Sequence, residues 1–470
     1  MSTVSSSTST SIDVASIVSQ LMAVESQPLN KLQTRLSGVQ TEISAFGQLQ
    51  GMLSAFQDAA RGLTSLDTWH AATATSSDPT AVKAAASTGA VSGTYDMTVT
   101  KLAKRQTMAT GPLANATTVF GGGTLRVQLG TLNAAGTTFT ANPDKAEVPI
   151  TIAAGATISE VRDAINSANA GVTASLVTDG SGVRLVVRSN DSGLSNAVRL
   201  SVTDDDGNDA DASGLSRLAF DPTGTKVMTQ TIAPQDAQFN VNGLDLTSAS
   251  NTVSGVVENV TLNFYKEGTG TVNVTVQPDA DTMRKAVDKF VSAYNDLTKT
   301  IASVTRYDPA TKVAGPLQGN TTVMMIQRQL RSTLQAVVGG ASVGTLSAAG
   351  LQVQRDGTLS VNSTQFSAAV ADPTKLQALF GASDADPSRI GIARRLDTLV
   401  TGILGSDGAV TGATSTLQKQ QTDIQKQQTR MQDRLTQIQA RLTKQYTALD
   451  SSLSQLSSVS SFLTSKFNGQ

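Results

Sequence analysis

The chain has 470 residues, 36 Lys and Arg against 37 Asp and Glu for a formal charge of -1, one histidine and no cysteine. That length leaves room for about three or four domains. The even charge, with no basic run longer than Lys104-Arg105 or Arg394-Arg395, excludes nucleic acid as a partner through its phosphates, and the lack of cysteine excludes disulfides, thiolate metal sites and cysteine nucleophiles while suiting a chain exported unfolded.

The N-terminal stretch MSTVSSSTSTS has neither a cationic start nor a long apolar run, so no cleaved general-secretory signal is expected. No apolar run approaches the ~18 residues of a membrane helix, so a soluble chain without membrane insertion is expected. Val14, Ile17, Leu21 and Val24 share one face of a short helix capped by Ser11 or Asp13, with Pro28 as a hinge after it. A longer helix restarts there and carries Leu29, Leu32, Leu36, Val39, Ile43, Phe46, Leu49, Leu53 and Phe56 at steps of three and four, the seam of a coiled coil. It ends near Leu63, and Leu66 to His70 reads as a hydrophobic corner followed by a run of Ala, Thr and Ser.

From Gly93 the period changes to two, and strand patterns continue to Pro278. Thr157-Ile158-Ser159-Glu160 is a capping box that opens a helix through Val161 and Ile165 to Gly171. A hairpin follows, Val172 to Thr178 with Val183 to Arg188, turning at Asp179-Gly180-Ser181-Gly182. Asn242-Gly243 marks a second hairpin, and Val260 to Phe264 is expected to pair with Val272 to Val276 across Glu267-Gly268-Thr269-Gly270.

The helical period returns at Asp281, with Met283, Val287, Phe290, Tyr294, Leu297, Ile301 and Val304. A helix over 322–338, a hairpin turning at Asp356-Gly357, short helices around Phe366 and Phe380, and a helix through Ile392, Leu396, Leu399 and Ile403 follow. The stretch from Leu417 is the longest helical pattern of all. Its apolar residues Met431, Leu435, Ile438, Leu442, Tyr446, Leu449, Leu453, Leu456, Leu463 and Phe467 form a second seam, which the first seam is expected to partner. The glutamines 418, 420, 421, 425, 427, 428 and 432 form a polar face, read as a solvated surface or as a wet packing surface.

No catalytic constellation is visible, so no enzyme and no cofactor are expected. His70, the sole histidine, sits beside Trp69 and is read as structural. The acidic run Asp204 to Asp211 puts Val202 where an EF-hand needs its first acid, so a solvated turn is expected rather than calcium. Gly121-Gly122-Gly123 precedes a strand, not a helix, and lacks phosphate-loop geometry.

IDVASIVSQLMAVESQPLNKL at 12–32 and RLTKQYTALDSSLSQLSSVSSFLTSKF at 441–467 resemble the two ends of the flagellar filament-capping family, hook-associated protein 2 or FliD. GLQVQRDGTLSVNSTQF with KLQALFG, spanning 350–381, is similar to a further block of that family, and the helix and hairpin at 157–188 resemble a module of flagellin-type proteins. The resemblance implies a bacterial flagellar cap exported by the type III route to the distal filament tip. There a homo-oligomer, a pentamer by that resemblance, retains flagellin and promotes its folding and polymerisation. Its implied partners are other copies of itself, flagellin, hook-filament junction proteins and an export chaperone at the C-terminus. Flagellin, a junction protein, or an adhesin or fibre with a receptor-binding head are the alternatives.

The expected fold is α+β and multidomain: an antiparallel coiled-coil rod made by both termini, with nested β-rich head domains inserted in the middle. Its parts are 1–42, N-terminal tail and short helix; 43–76, rod; 77–125, β head; 126–225, inserted β-rich domain; 226–278, β head again; 279–429, rod; and 430–470, C-terminal helix. The expected assembly seam comprises Leu21, Val24, Leu36, Val39, Ile43, Leu435, Ile438, Leu442, Leu449, Leu453, Leu456, Leu463 and Phe467.

Overall fold

Helices α1 (Val14–Glu25), α2 (Gln27–Gly62) and the single turn α3 (Leu66–Trp69) open the chain. A β-rich stretch holding helix α4 (Ile158–Ser167) follows. The chain then runs through α5 (Ala280–Thr305), α6 (Thr321–Leu334), α7 (Ser363–Val370), α8 (Pro373–Gly381), α9 (Ile392–Leu404) and α10 (Ala409–Phe467). The computed structural model describes residues 12–467, so the Ser/Thr tail and Ser11 lie outside the described residues. Two compact units result among the described residues: a helical one from 12–69 with 280–467, and a β-rich one from 70–279.

In the helical unit, Asp13 starts α1 by accepting a hydrogen bond from the Ser16 amide at 2.9 Å, one of the donors a helix start leaves unpaired. The break between α1 and α2 falls at Ser26, not Pro28. The proline occupies the first turn of α2, where a missing N–H costs nothing. The expected boundaries at 42/43 and 429/430 are corrected: both cut helices that run on without interruption, because neither site holds a proline. What changes in α2 near that boundary is burial. Val39 is the first buried residue, and from Ala45 on the apolar positions are enclosed.

The two ends lie antiparallel. The Ile12 amide donates to Asp450 Oδ1 at 2.9 Å, while Leu32 and Met431 meet in one groove further along, so the chain advances on one side as α10 runs back on the other. Beyond this pair, Phe46, Leu49, Leu53 and Phe56 of α2 join Met283, Val287, Phe290 and Leu297 of α5 and Ile392, Leu396 and Val400 of α9 in one core. Phe56 lies 5.3 Å from Phe290 and 5.7 Å from Tyr294, centroid to centroid. Trp69 closes the corner by stacking on Phe380 at 5.4 Å and donating its indole N–H to the Leu63 carbonyl at 2.8 Å, so the buried indole donor is satisfied.

Polar clasps set the register of this packing. Buried Gln57 donates from Nε2 to Asp397 Oδ1 (2.8 Å) and Thr401 Oγ1 (2.7 Å), and Arg61 pairs with the same carboxylate at 2.8 Å, fixing α2 on α9. Asn295 of α5 gives its amide to the Leu359 carbonyl (2.9 Å) and takes the Leu359 N–H (2.7 Å), holding the hairpin of Leu351–Val353 with Leu359–Val361 against the helix.

The β-rich unit holds two hydrophobic cores and only antiparallel pairings. The first joins a five-stranded sheet, in the order Ala72–Ser76, Val272–Pro278, Gly93–Lys101, Ala237–Val241, Leu244–Ser248, to a three-stranded one of Thr252–Val257, Val260–Phe264 and Val82–Ala86. Phe239 and Phe264 meet at 4.8 Å between the two. The second core lies under two four-stranded sheets and α4, and it draws on residues from Met108 to Met228.

Three expectations need correction here. Residues 72–76, placed at the end of the rod, form a strand paired along its whole length with 274–278; the Ala, Thr and Ser run hid it because the strand is half-buried and has no large apolar residue to mark its period. The insertion does not begin at 126 and end at 225. Lys104 and Gln235 exchange amide hydrogen bonds of 2.8 and 3.2 Å, and Thr107–Ala109 already pairs with the 182–189 strand. Last, 260–264 and 272–276 are not hairpin partners. The first turns tightly at Glu258-Asn259 to pair with 252–257, and the second lies in the other sheet between 72–76 and 93–101. The connection is pinned instead to the strand end it crosses, through Val99 N to Thr269 Oγ1 (3.0 Å) and Leu102 N to Glu267 (3.1 Å).

Candidate assembly surface

α10 spans 59 residues, ~90 Å at 1.5 Å per residue. Its inward stripe begins well before Met431. Val410, Leu417, Gln421, Ile424, Gln428, Met431, Leu435, Ile438, Leu442 and Tyr446 recur at steps of three, four or seven and are buried or half-buried. Gln421 and Gln428 therefore belong to the packed face rather than the solvated one, and a polar residue at such a slot fixes the register of paired helices. Gln418, Gln425, Gln427 and Gln432 point to solvent.

The expected seam divides into two groups. Val39 (3% exposed) and Leu435 (8%) are buried, and Leu36, Ile43, Ile438 and Leu442 are half-buried between the helices. Leu453 is also half-buried. Leu21, Val24, Leu449, Leu456, Leu463 and Phe467 are exposed, with Phe467 at 81%. Val459 and Phe462, absent from the expected set, are exposed as well. At 100° per residue they widen the apolar stripe of 449–467 to about half the helix circumference; the signal was present as two large apolar residues off the four-three seam.

Most of the rest of this end is serine, and its only charge from 451 to 467 is Lys466. The hydroxyls of Ser452, Ser458 and Ser461 and of Thr464 donate to carbonyls one turn back at 2.6 to 2.9 Å. A hydroxyl spent this way presents little unmet polarity to a neighbour, so even the serine face can pack against another helix.

Sites of other chemistry do not assemble. Among the described residues no three acidic, His or Cys side chains are placed to hold a metal, and no helix is long and apolar enough to cross a membrane. The acidic loop turns its carboxylates on itself: Asp206, Asp209 and Asp211 accept the amides of Asn208, Asp204 and Ser213. Asp204 departs from the solvated reading. It is buried and accepts the amide of Ser216 at 2.9 Å; the Ser216 hydroxyl lies 3.2 Å away and donates to the Asn208 carbonyl at 2.6 Å. His70 opens the β-rich unit, where its carbonyl accepts the Gly89 amide. Trp69, by contrast, belongs to the helical core.

A long helical pair built from the two chain ends, an all-antiparallel β-rich insertion between them, and an apolar, almost uncharged helix end together define a subunit with surfaces for assembly. Models of the flagellar hook-associated protein 2 N-terminus and C-terminus match residues 10–106 and 234–458, and the flagellin hook IN motif matches 131–191. Hook-associated protein 2 of Escherichia coli K12 is 33% identical over 97% of this chain and 96% of its own length. The B-type protein of Pseudomonas aeruginosa PAO1 is 32% identical over 87% and 86%. A crystal structure of the flagellar cap protein FliD, domains D1-D2-D3 from Escherichia coli, superposes with a TM-score of 0.64 at 33% identity, covering 80% of this chain and 99% of that one. The chain belongs to the hook-associated protein 2 (FliD) family of flagellar filament caps, a structural family and not an enzyme family.

Proposed function

We propose that this chain is the subunit of a homo-oligomeric cap at the distal tip of the flagellar filament. Exported through the flagellar type III route, it retains arriving flagellin there and promotes its folding and polymerisation. The observation that carries the reading is the exposed apolar end of α10, Leu449, Leu456, Val459, Phe462, Leu463 and Phe467, joined to a family whose relatives are flagellar caps. Each large side chain there gains about 1.5 to 3 kcal/mol when enclosed, so a lasting exposed state is costly and a partner is called for. In the secreting cell that partner is an export chaperone; at the tip it is neighbouring subunits, a pentamer by family likeness, seated on the junction proteins beneath. The seam residues Leu36, Val39, Ile43, Leu435, Ile438 and Leu442 hold the α2/α10 pair together, and Leu21, Val24, Leu449, Leu453, Leu456, Leu463 and Phe467 are the positions that engage neighbours.

Deleting the gene and assaying the culture medium tests the reading. A cap subunit leaves short or missing filaments with monomeric flagellin released into the medium. Intact filaments would favour an adhesin, and a medium without flagellin would favour flagellin itself.

A further inference from the structure

A groove of about 550 Å³ lies between α2 and α10, floored by Pro28, Leu32 and Met431 and walled by Lys31, Arg35, Arg430 and Arg434. Lys31 and Arg35 are four residues apart on one helix, and Arg430 and Arg434 are four apart on the other, so each wall carries a like-charge pair. None of the four makes an ion pair or hydrogen bond among the described residues. Some cations of the same unit do have carboxylate partners: Arg61 with Asp397, Arg284 with Asp288, Lys375 with Asp372. Like charges four apart weaken a helix, and two such pairs facing one groove repel each other further. The isolated subunit gains nothing from this arrangement.

We propose that the groove docks an acidic amphipathic helix of a partner protein. Carboxylates four residues apart on that helix meet the cationic pairs, and an apolar side chain between them seats on Leu32 and Met431. The spacing on each wall, roughly 6 Å per four-residue step, is that of side chains on another α-helix. The apolar floor offers Leu32 and Met431 to an apolar side chain, a contact that a helix can make and a free phosphate cannot. The site is distinct from the far end of α10, which is apolar and almost uncharged, and it does not depend on the capping role.

The test uses the full-length protein and three fluorescent probes. One is a synthetic helical peptide with Glu pairs four apart around a central Leu, one is its Gln-for-Glu counterpart, and one is a single-stranded oligonucleotide of equal charge. By anisotropy the Glu peptide binds, more weakly as salt is raised, and loses about tenfold or more in R430Q/R434Q while R430K/R434K stays within a few fold of the parent. The melting temperature of R430Q/R434Q is unchanged or higher, since a repulsive pair has gone. The proposal is overturned if the Gln peptide binds as tightly, if the oligonucleotide binds more tightly, or if R430Q/R434Q keeps full affinity. A lower melting temperature in that variant also overturns it, because the arginines then serve the fold.

Discussion

At the level of single residues, the chain puts its charges and amides to local use. Arg184 donates to the Asp179 carboxylate at 2.8 Å, and with the Ser181 amide it lowers the Asp179 pKa from 3.8 to about 2. A depressed carboxyl pKa means that the contribution of the pair is complete above pH 3.8 and is lost as pH falls through about 2. A carboxyl-detected NMR titration should place the Asp179 midpoint near 2 and move it toward 3.8 in Arg184→Gln. Because both side chains are partly exposed, that variant should leave the melting temperature almost unchanged. Asp204 behaves differently. Asp204→Ala strands the buried Ser216 amide, while the Ser216 hydroxyl keeps the Asn208 carbonyl, so a loss of about 1 to 3 kcal/mol is expected in denaturant titration of the β-rich unit. A variant as stable as the parent would mean that water replaces the carboxylate.

The long helices show which parts of the element pattern the sequence carries and which it withholds. Periodicity locates α2, α5, α9 and α10, the Thr157 capping box is present with Glu160 accepting the Thr157 amide at 2.7 Å, and Asn242-Gly243, both at positive φ, makes the hairpin turn. Those signals are local, and a residue type states them directly. Strand partnership is not local: 260–264 and 272–278 alternate in the same way, and only the packing of two sheets decides that they part. Nor does a four-three repeat say where its partner ends. Leu435 and Leu456 stand on the same repeat, yet one is 8% exposed and the other 65%. Leu435→Ala should therefore cost about 2 to 4 kcal/mol in the isolated subunit, whereas Leu456→Ala should fall within about 0.5 kcal/mol of the parent. Equal losses in chemical denaturation would show that the C-terminal half of α10 is already covered in the free chain.

For the molecule as a whole, the chain leaves its helical unit at Trp69 and returns at Ala280, so everything between is a closed insertion. Since 72–76 is an integral strand of the larger sheet, residues 70–279 expressed alone should unfold cooperatively with a β-type circular dichroism spectrum, and 77–279 should melt lower for want of an edge strand. The helical unit asks the complementary question of how a subunit stable by itself becomes part of a cap. Its core is enclosed without any neighbour, through Phe46, Phe56, Phe290 and Trp69, so changes at the far end of α10 should not reach it. Leu449, Leu453 and Leu456 changed together to Ser remove apolar surface that the free chain leaves largely open. The triple variant should then keep the parent's melting temperature. If those leucines anchor the subunit among its neighbours, replacing each one weakens the assembly by about 1.5 to 3 kcal/mol, and three together exceed what a marginal oligomer tolerates. A strain carrying the triple change should release monomeric flagellin into the medium and bear short filaments. Filaments of normal length with no free flagellin would place the anchor elsewhere on the chain.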